Sequence, residues 1–216
     1  MLKIHIITVF PDSFKSYINS SILKNAQKKW IFEPIFYDLG DFSIKKTRRV
    51  DDRPYGWFPW AILSIEPLYK AIKFIEEKHP GIRKIYLSPK WKTLKQHKLE
   101  KLAKNKKDII LICGHYEWID SRILEMFEIE EISIWDYILT SWELAAMVLI
   151  DWIVRLLPWV INEKSLEEES FSKKLWRKKE YPWYTRPEEF MWFKVPKELL
   201  SWDPKIIEKW KNNFNK

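Results

Sequence analysis

Short apolar runs alternate along the chain with stretches whose apolar residues recur every three or four positions, a pattern that predicts strands between helices. Residues 4–10 form a largely apolar run of strand length, and residues 12–29 then set Phe14, Ile18, Ile22 and Ala26 on one helical face. The same two periods predict strands over 31–38, 84–87, 108–113 and 131–134, and helices over 66–78, 94–104, 119–127 and 143–157. Strands that are apolar throughout are buried on both faces, so the alternation implies an α/β fold with a mostly parallel sheet covered by helices. After Pro158 the pattern fades. Residues 162–179 are charged and poor in β-branched side chains, and residues 187 onward read as a small helical element. The expected organisation is an α/β domain over 1–161, a linker or lid over 162–187, and a small helical domain over 188–216.

With 216 residues and 46% hydrophobic content the chain is long and apolar enough to fold. A net charge of +8 favours a polyanionic partner such as nucleic acid. The lone Cys113 excludes a disulfide framework and fits a reducing cytoplasm. The N-terminus lacks the layout of an export signal. The most apolar region, residues 137–161, is interrupted by Glu143, Asp151 and Arg155, so a membrane helix of about 20 apolar residues is not expected. The chain has 14 Trp and 4 Gly, whereas an average content of about 7% would give roughly 15 Gly.

Neither a dinucleotide-binding glycine pattern nor a phosphate-cradling loop is present. His5, His97, His115 and Cys113 show no metal-ligand spacing. What remains are turn-like segments after strands: 88–90, 114–117 and 135–140. Open α/β sheets bind ligands at the carboxyl ends of their strands, so these segments are placed to share a pocket. By spacing alone they read equally well as ordinary connections.

Seven segments carry a resemblance: VDDRPYG (50–56), LSPK (87–90), LICGHYEWID (111–120), EEISIWDYILTSWELAAMVLID (130–151), RLLPWV (155–160), SLEEESF (165–171) and YTRP (184–187). In this order, after ITVFP near the N-terminus, they resemble the bacterial tRNA (guanine-N1)-methyltransferase family. The resemblance implies a SPOUT-type parallel sheet with a C-terminal trefoil knot, followed by a small helical C-terminal domain. It also implies a cytoplasmic homodimer, S-adenosylmethionine as methyl donor, and tRNA as substrate, methylated on N1 of the guanosine at position 37, next to the anticodon. Donor-binding positions carry over to Pro89, Gly114, Tyr116, Glu117, Ile134, Trp135, Asp136, Tyr137, Ile138, Leu139, Ser141 and Trp142.

Guanine N1 carries a proton that must leave before it attacks, and a carboxylate base serves this need. The family's aspartate in SxEEDSF is matched here by Glu169, one methylene longer. Arg155 matches a catalytic arginine suited to stabilising charge on guanine O6. A family-level involvement of Mg²⁺ is implied, with Glu117 and Glu169 as carboxylate contacts. Without the resemblance, Glu169 reads as part of a solvated acidic run and Arg155 as an i,i+4 partner of Asp151. Two basic clusters, Lys45, Lys46, Arg48 and Arg49, and Lys173, Lys174, Arg177, Lys178 and Lys179, are expected to meet phosphates. The second lies in a KKLWRKK segment longer than the family's. The chain ends at Lys216, where family members continue into an arginine-rich helical tail, so a truncated C-terminal domain is expected.

The chain departs from the family in its tryptophans. Trp57, Trp60, Trp91, Trp118, Trp135, Trp142 and Trp159 stand at family glycine positions, as do Trp30, Trp192 and Trp202. Glycine serves where φ is positive or where backbone meets a ligand, and tryptophan is the largest side chain. The pattern is that of UGA codons that specify glycine in the source cell and are read as tryptophan, and it predicts crowding around residues 135 and 142. Trp210 matches a family tryptophan, and Trp152, Trp176 and Trp183 have no assigned counterpart. Two alternatives stay open: an inactive protein whose tryptophans stack on unpaired bases, and a methyltransferase of the same class acting on another RNA.

Overall fold

Strand β1 (Leu2–Thr8) leads through a 3-10 turn (Pro11–Phe14) into helices α1 (Lys15–Ile18) and α2 (Ser21–Lys28) and then strand β2 (Phe32–Asp38). A second 3-10 turn (Leu39–Phe42) and the short pair β3 (Asp51–Asp52) and β4 (Ile62–Leu63) precede α3 (Ile65–Lys78). Then come β5 (Arg83–Leu87), α4 (Gln96–Asn105), β6 (Ile109–Ile112), α5 (Arg122–Met126), β7 (Glu130–Ile132) and α6 (Trp142–Arg155). The last elements are α7 (Glu163–Glu167), the hairpin β8 (Glu189–Phe190) and β9 (Phe193–Lys194), α8 (Lys197–Leu200) and α9 (Pro204–Asn213). This is a computed structural model, which describes residues 1–56, 58–90, 93–105 and 107–214. The chain divides into two compact units, Met1–Ile161 and Asn162–Lys216.

The first unit is built on a five-stranded parallel sheet in the order β2-β1-β6-β5-β7. Its strands alternate inward on both faces. Ile4 and Ile6 of β1, Ile85 and Leu87 of β5, and Ile109 and Leu111 of β6 join one core with α1, α2, α4 and α6. Ile7, Tyr86, Ile110 and Ile112 point the other way, into a second core with α3 and α5. Two covered faces explain why the strands read as unbroken apolar runs. Pro34 lies in β2, an edge strand, where its missing N–H leaves no gap in a central ladder.

The helix expected over 12–29 is broken. Asn19 Nδ2 donates to the Lys15 carbonyl at 2.8 Å and Ser20 Oγ to the Tyr17 carbonyl at 2.7 Å. These local bonds satisfy helix-end carbonyls and stop the first helix. The restart shifts the helical phase, so Leu23 is buried where Ile22 was expected, and Ile22 is exposed. The other strands and helices fall within two residues of the expected positions, except that the segment 119–127 is helical only over its centre, Arg122–Met126.

The second unit is organised around Glu168 and Trp210. Glu168 accepts from Lys174 Nζ at 2.6 Å, Tyr181 Oη at 3.0 Å and Lys211 Nζ at 3.1 Å. These donors hold its carboxyl at about 2, far below the usual range, with Lys174 the largest cause. Trp210 is buried in α9, its ring 4.9 Å from Phe214 and 5.9 Å from Tyr181. Asp203 caps α9 by accepting from the Lys205 amide at 2.8 Å, with Pro204 at the first helical position. The β8–β9 hairpin is an element that the sequence pattern did not signal.

Candidate functional site

Strands β6, β5 and β7 are neighbours, so the segments after them leave the sheet side by side. The segment after β5 is tied to the one after β7. The Ser88 amide donates to the Ile132 carbonyl at 2.9 Å, the Leu94 amide to the Ser133 carbonyl at 2.8 Å, and Thr93 Oγ1 to Asp136 Oδ1 at 3.1 Å. The segment after β6 is tied to β4. The Leu63 amide donates to the Trp118 carbonyl at 2.8 Å and the Asp120 amide to the Leu63 carbonyl at 3.1 Å. Lys90 Nζ lies over the Trp118 ring at 4.1 Å.

Of the expected donor-binding residues, Pro89, Ile134, Trp135, Tyr137, Leu139 and Trp142 line one small cavity. Gly114 meets the same place from the β6 side: a Cβ built on it would lie 3.0 Å from both Trp142 Cδ1 and Tyr86 Oη. Any larger residue at 114 would press on both of these side chains and force them to shift. Ser141 is the N-cap residue of α6, and Asp136 is held by Thr93. Ile138 is exposed, as is Glu117, whose amide donates to the Ala61 carbonyl at 3.2 Å. Tyr116, with φ +58°, directs its hydroxyl to Asp51, and burial and Asp51 raise its pKa. Arg49 in turn grips Asp51 through two bonds of 2.9 and 3.0 Å and holds that carboxyl below its usual range.

Arg155 lies in the last turn of α6, half-buried. The Asp151 carboxylate accepts from Tyr17 Oη at 3.0 Å. Glu169 is half-buried in the second unit, and its carbonyl accepts from the Ser172 amide at 3.0 Å. The first basic cluster is largely ion-paired: Lys45 with Asp52 at 3.1 Å, Arg48 with Asp38 and Asp41 at 2.7 Å each, and Arg49 with Asp51. Acidic residues from the flanking segments fold back on it, which lowers its electrostatic pull on phosphates. In the second cluster Lys174 is committed to Glu168, while Lys173 and Lys179 are exposed.

Two residues at the site escaped the sequence reading. Glu143 is fully buried at the start of α6, accepting from Thr8 Oγ1 at 2.7 Å and Ser141 Oγ at 2.5 Å. A carboxylate in the first turn of a nearly all-apolar helix was the available signal. Tyr86 is also fully buried, its hydroxyl has no hydrogen-bond partner among the described residues, and burial pushes its pKa well up. Cys113 is inert by the same cause: burial, then Glu143, raise its thiol. Among the described residues no helix is long and apolar enough to cross a membrane.

The crowding expected around two tryptophans is found at one. Trp142 is wedged between Gly114 and Tyr86, with ring centroids 6.2 Å apart in the tilted pair with Tyr86. Trp135 turns outward and is 60% exposed. The cavity lined by both is about 10 Å³, room for about one water molecule. Pockets that enclose ligands of S-adenosylmethionine size run to about 300–1,000 Å³, so the donor does not fit the side chains as they stand. Trp57 and Trp91 lie outside the described residues.

Comparison with known proteins places these features. The family described as tRNA (Guanine-1)-methyltransferase TrmD matches residues 2–216. The tRNA (guanine-N(1)-)-methyltransferase of Clostridioides difficile is 45% identical over 215 residues, covering 97% of this chain and 90% of that protein. That of Buchnera aphidicola is 46% identical over 208 residues, covering 96% and 86%. The crystal structure of tRNA (m1G37) methyltransferase from Aquifex aeolicus superposes with a TM-score of 0.79 at 35% identity, covering 97% of this chain and 87% of that one. With a whole-length family match, close relatives and the same parallel-sheet architecture, the chain belongs to the tRNA (guanine-N1)-methyltransferase family.

Proposed function

We propose that the protein methylates N1 of guanosine 37 in tRNA, as a cytoplasmic homodimer that uses S-adenosylmethionine. The observation that carries this reading is the meeting of segments 88–90, 114–117 and 133–141 at the carboxyl ends of three adjacent parallel strands, in a chain of this family. The trefoil knot belongs to the same reading, and the bonds tying the segment after β5 to the segment after β7 support it. The dimer draws support from α6, where Leu144 and Val148, one turn apart, expose apolar side chains.

Within this reading Glu169 accepts the N1 proton of guanine, which frees the lone pair that attacks. Arg155 donates to guanine O6 and stabilises the charge that gathers there as the proton leaves. The role of Gly114 is to let backbone approach the site closely, and Glu143 fixes the N-terminus of α6 against β1. Lys173 and Lys179 supply phosphate contacts. Glu117 and Glu169 are the residues that would hold Mg²⁺, since carboxylate oxygens suit a hard cation. No step is assigned to the metal, and none to the donor, which the present side chains exclude.

Methyl transfer from labelled S-adenosylmethionine tests the proposal on tRNA transcripts with guanosine or adenosine at position 37. Label in N1-methylguanosine of the first transcript alone supports it. A donor-binding form of the protein that labels neither transcript, or both equally, overturns it.

A further inference from the structure

Among the described residues, four of the eleven non-glycine residues with positive φ are tryptophans: Trp30 at +57°, Trp159 at +70°, Trp176 at +52° and Trp202 at +55°. Few non-glycine residues adopt this region, and a bulky side chain there is an outlier. All four are also among the most exposed tryptophans, from 75% to 90%. Such a side chain contributes little packing and leaves the left-handed backbone cost of about 1–2 kcal/mol per residue uncompensated. Trp210 behaves as tryptophan normally does, buried in a helix among aromatic rings. The chain holds only 4 glycines in 216 residues.

Residue 142 presents a different obstruction. Its indole, with the Tyr86 hydroxyl, lies 3.0 Å from where a Cβ on residue 114 would sit, fills the loop cavity down to about 10 Å³, and among the described residues the Tyr86 hydroxyl is buried without a partner. A buried hydroxyl so stranded costs about 1–3 kcal/mol. Removing the indole opens the cavity and gives Tyr86 access to a ligand or water, while the Tyr86 hydroxyl stays beside Gly114.

We infer that the working protein carries glycine at positions 30, 142, 159, 176 and 202, and that the Trp142 indole is what closes the donor site. Position 176 has no assigned counterpart in the sequence patterns, so its backbone alone selects it. The closure at residue 142 rests on the proposed donor-binding site, whereas the four backbone positions stand without it.

Peptide mass spectrometry of the protein from its native cells reads the residues directly. Glycine at all five positions is expected, and tryptophan at any of them overturns the inference. Calorimetric titration with S-adenosylmethionine then compares the tryptophan chain with its W142G variant and with the fivefold W30G/W142G/W159G/W176G/W202G variant. Binding by the two variants and none by the tryptophan chain supports the inference. Equal binding by all three, or binding by none, overturns the role of Trp142. Thermal unfolding keeps the four backbone positions testable apart from the donor: W30G, W159G, W176G and W202G each raise the midpoint, and a uniform fall overturns their assignment. A fivefold variant that binds the donor and yet methylates no tRNA sinks the proposed function while leaving this inference intact.

Discussion

Thr8 at the end of β1 donates its hydroxyl to Glu143 at the start of α6, 2.7 Å apart and 135 residues distant in sequence. Both side chains are fully buried. The carboxylate gains from the second hydroxyl, Ser141, and from the positive end of the helix. The bond fixes the segment 133–141 relative to the sheet. Replacing Glu143 with alanine strands two hydroxyls and opens a small void, so E143A is expected to lose about 2–3 kcal/mol. Urea unfolding checks this as a fall in midpoint at unchanged slope, and T8V is expected to lose about 1 kcal/mol.

The two adjacent glutamates of the second unit are expected to separate cleanly. Glu168 is a structural acceptor of three donors, so E168Q lowers stability by about 1 kcal/mol after solvent screening. In the W142G background, E169Q lowers kcat by about 10²–10⁴-fold, the usual loss when a general base is removed. Equal effects of the two changes on rate in that background would contradict the assigned roles.

Acid stability is expected to fall in two windows. His5 is buried, its Nδ1 2.9 Å from Tyr37 Oη, and burial, then His79, lower its pKa from 6.5 to about 4. The unfolded chain therefore binds a proton that the folded chain refuses between these values, and stability declines as pH drops from 6.5 to about 4. Glu168 acts lower: its carboxylate contribution is complete above 4.5 and is lost as pH falls toward about 2. H5Q is expected to flatten the first decline and leave the second, as measured by midpoints across the pH range.

The exposed pair Leu144 and Val148 gives the proposed dimer a direct test. L144D/V148D places two like charges on an apolar line and is expected to yield monomers in sedimentation. An unchanged dimer mass would move the interface elsewhere.

Trp210 and Trp159 are expected to respond oppositely to glycine. W159G gains about 1 kcal/mol, because its backbone is left-handed at +70° and the side chain is 79% exposed. W210G loses about 3–5 kcal/mol, because it empties the aromatic core of α9. Chemical denaturation of both variants measures the contrast.

The alternation of strands and helices was legible in the sequence because hydrophobic patterning is local: a short unbroken apolar run in β6, and apolar residues every three or four positions in α3. The family was legible because its motifs are contiguous. The break at Asn19 and Ser20 was less so, since side-chain bonds to nearby carbonyls compete with helix without disturbing the apolar count. By itself the sequence also determined that residues 114 and 135 belong to the loops after the strands and that residue 142 lies at the edge of the helix that follows. Only the tertiary structure decided that Trp142 meets Gly114 and Tyr86 whereas Trp135 faces solvent, that Glu143 is buried against Thr8, and that Glu168 gathers Lys174, Tyr181 and Lys211. Each of these depends on contacts between residues far apart in the chain. Burial and partner choice are properties of the packed whole, and no local period encodes them.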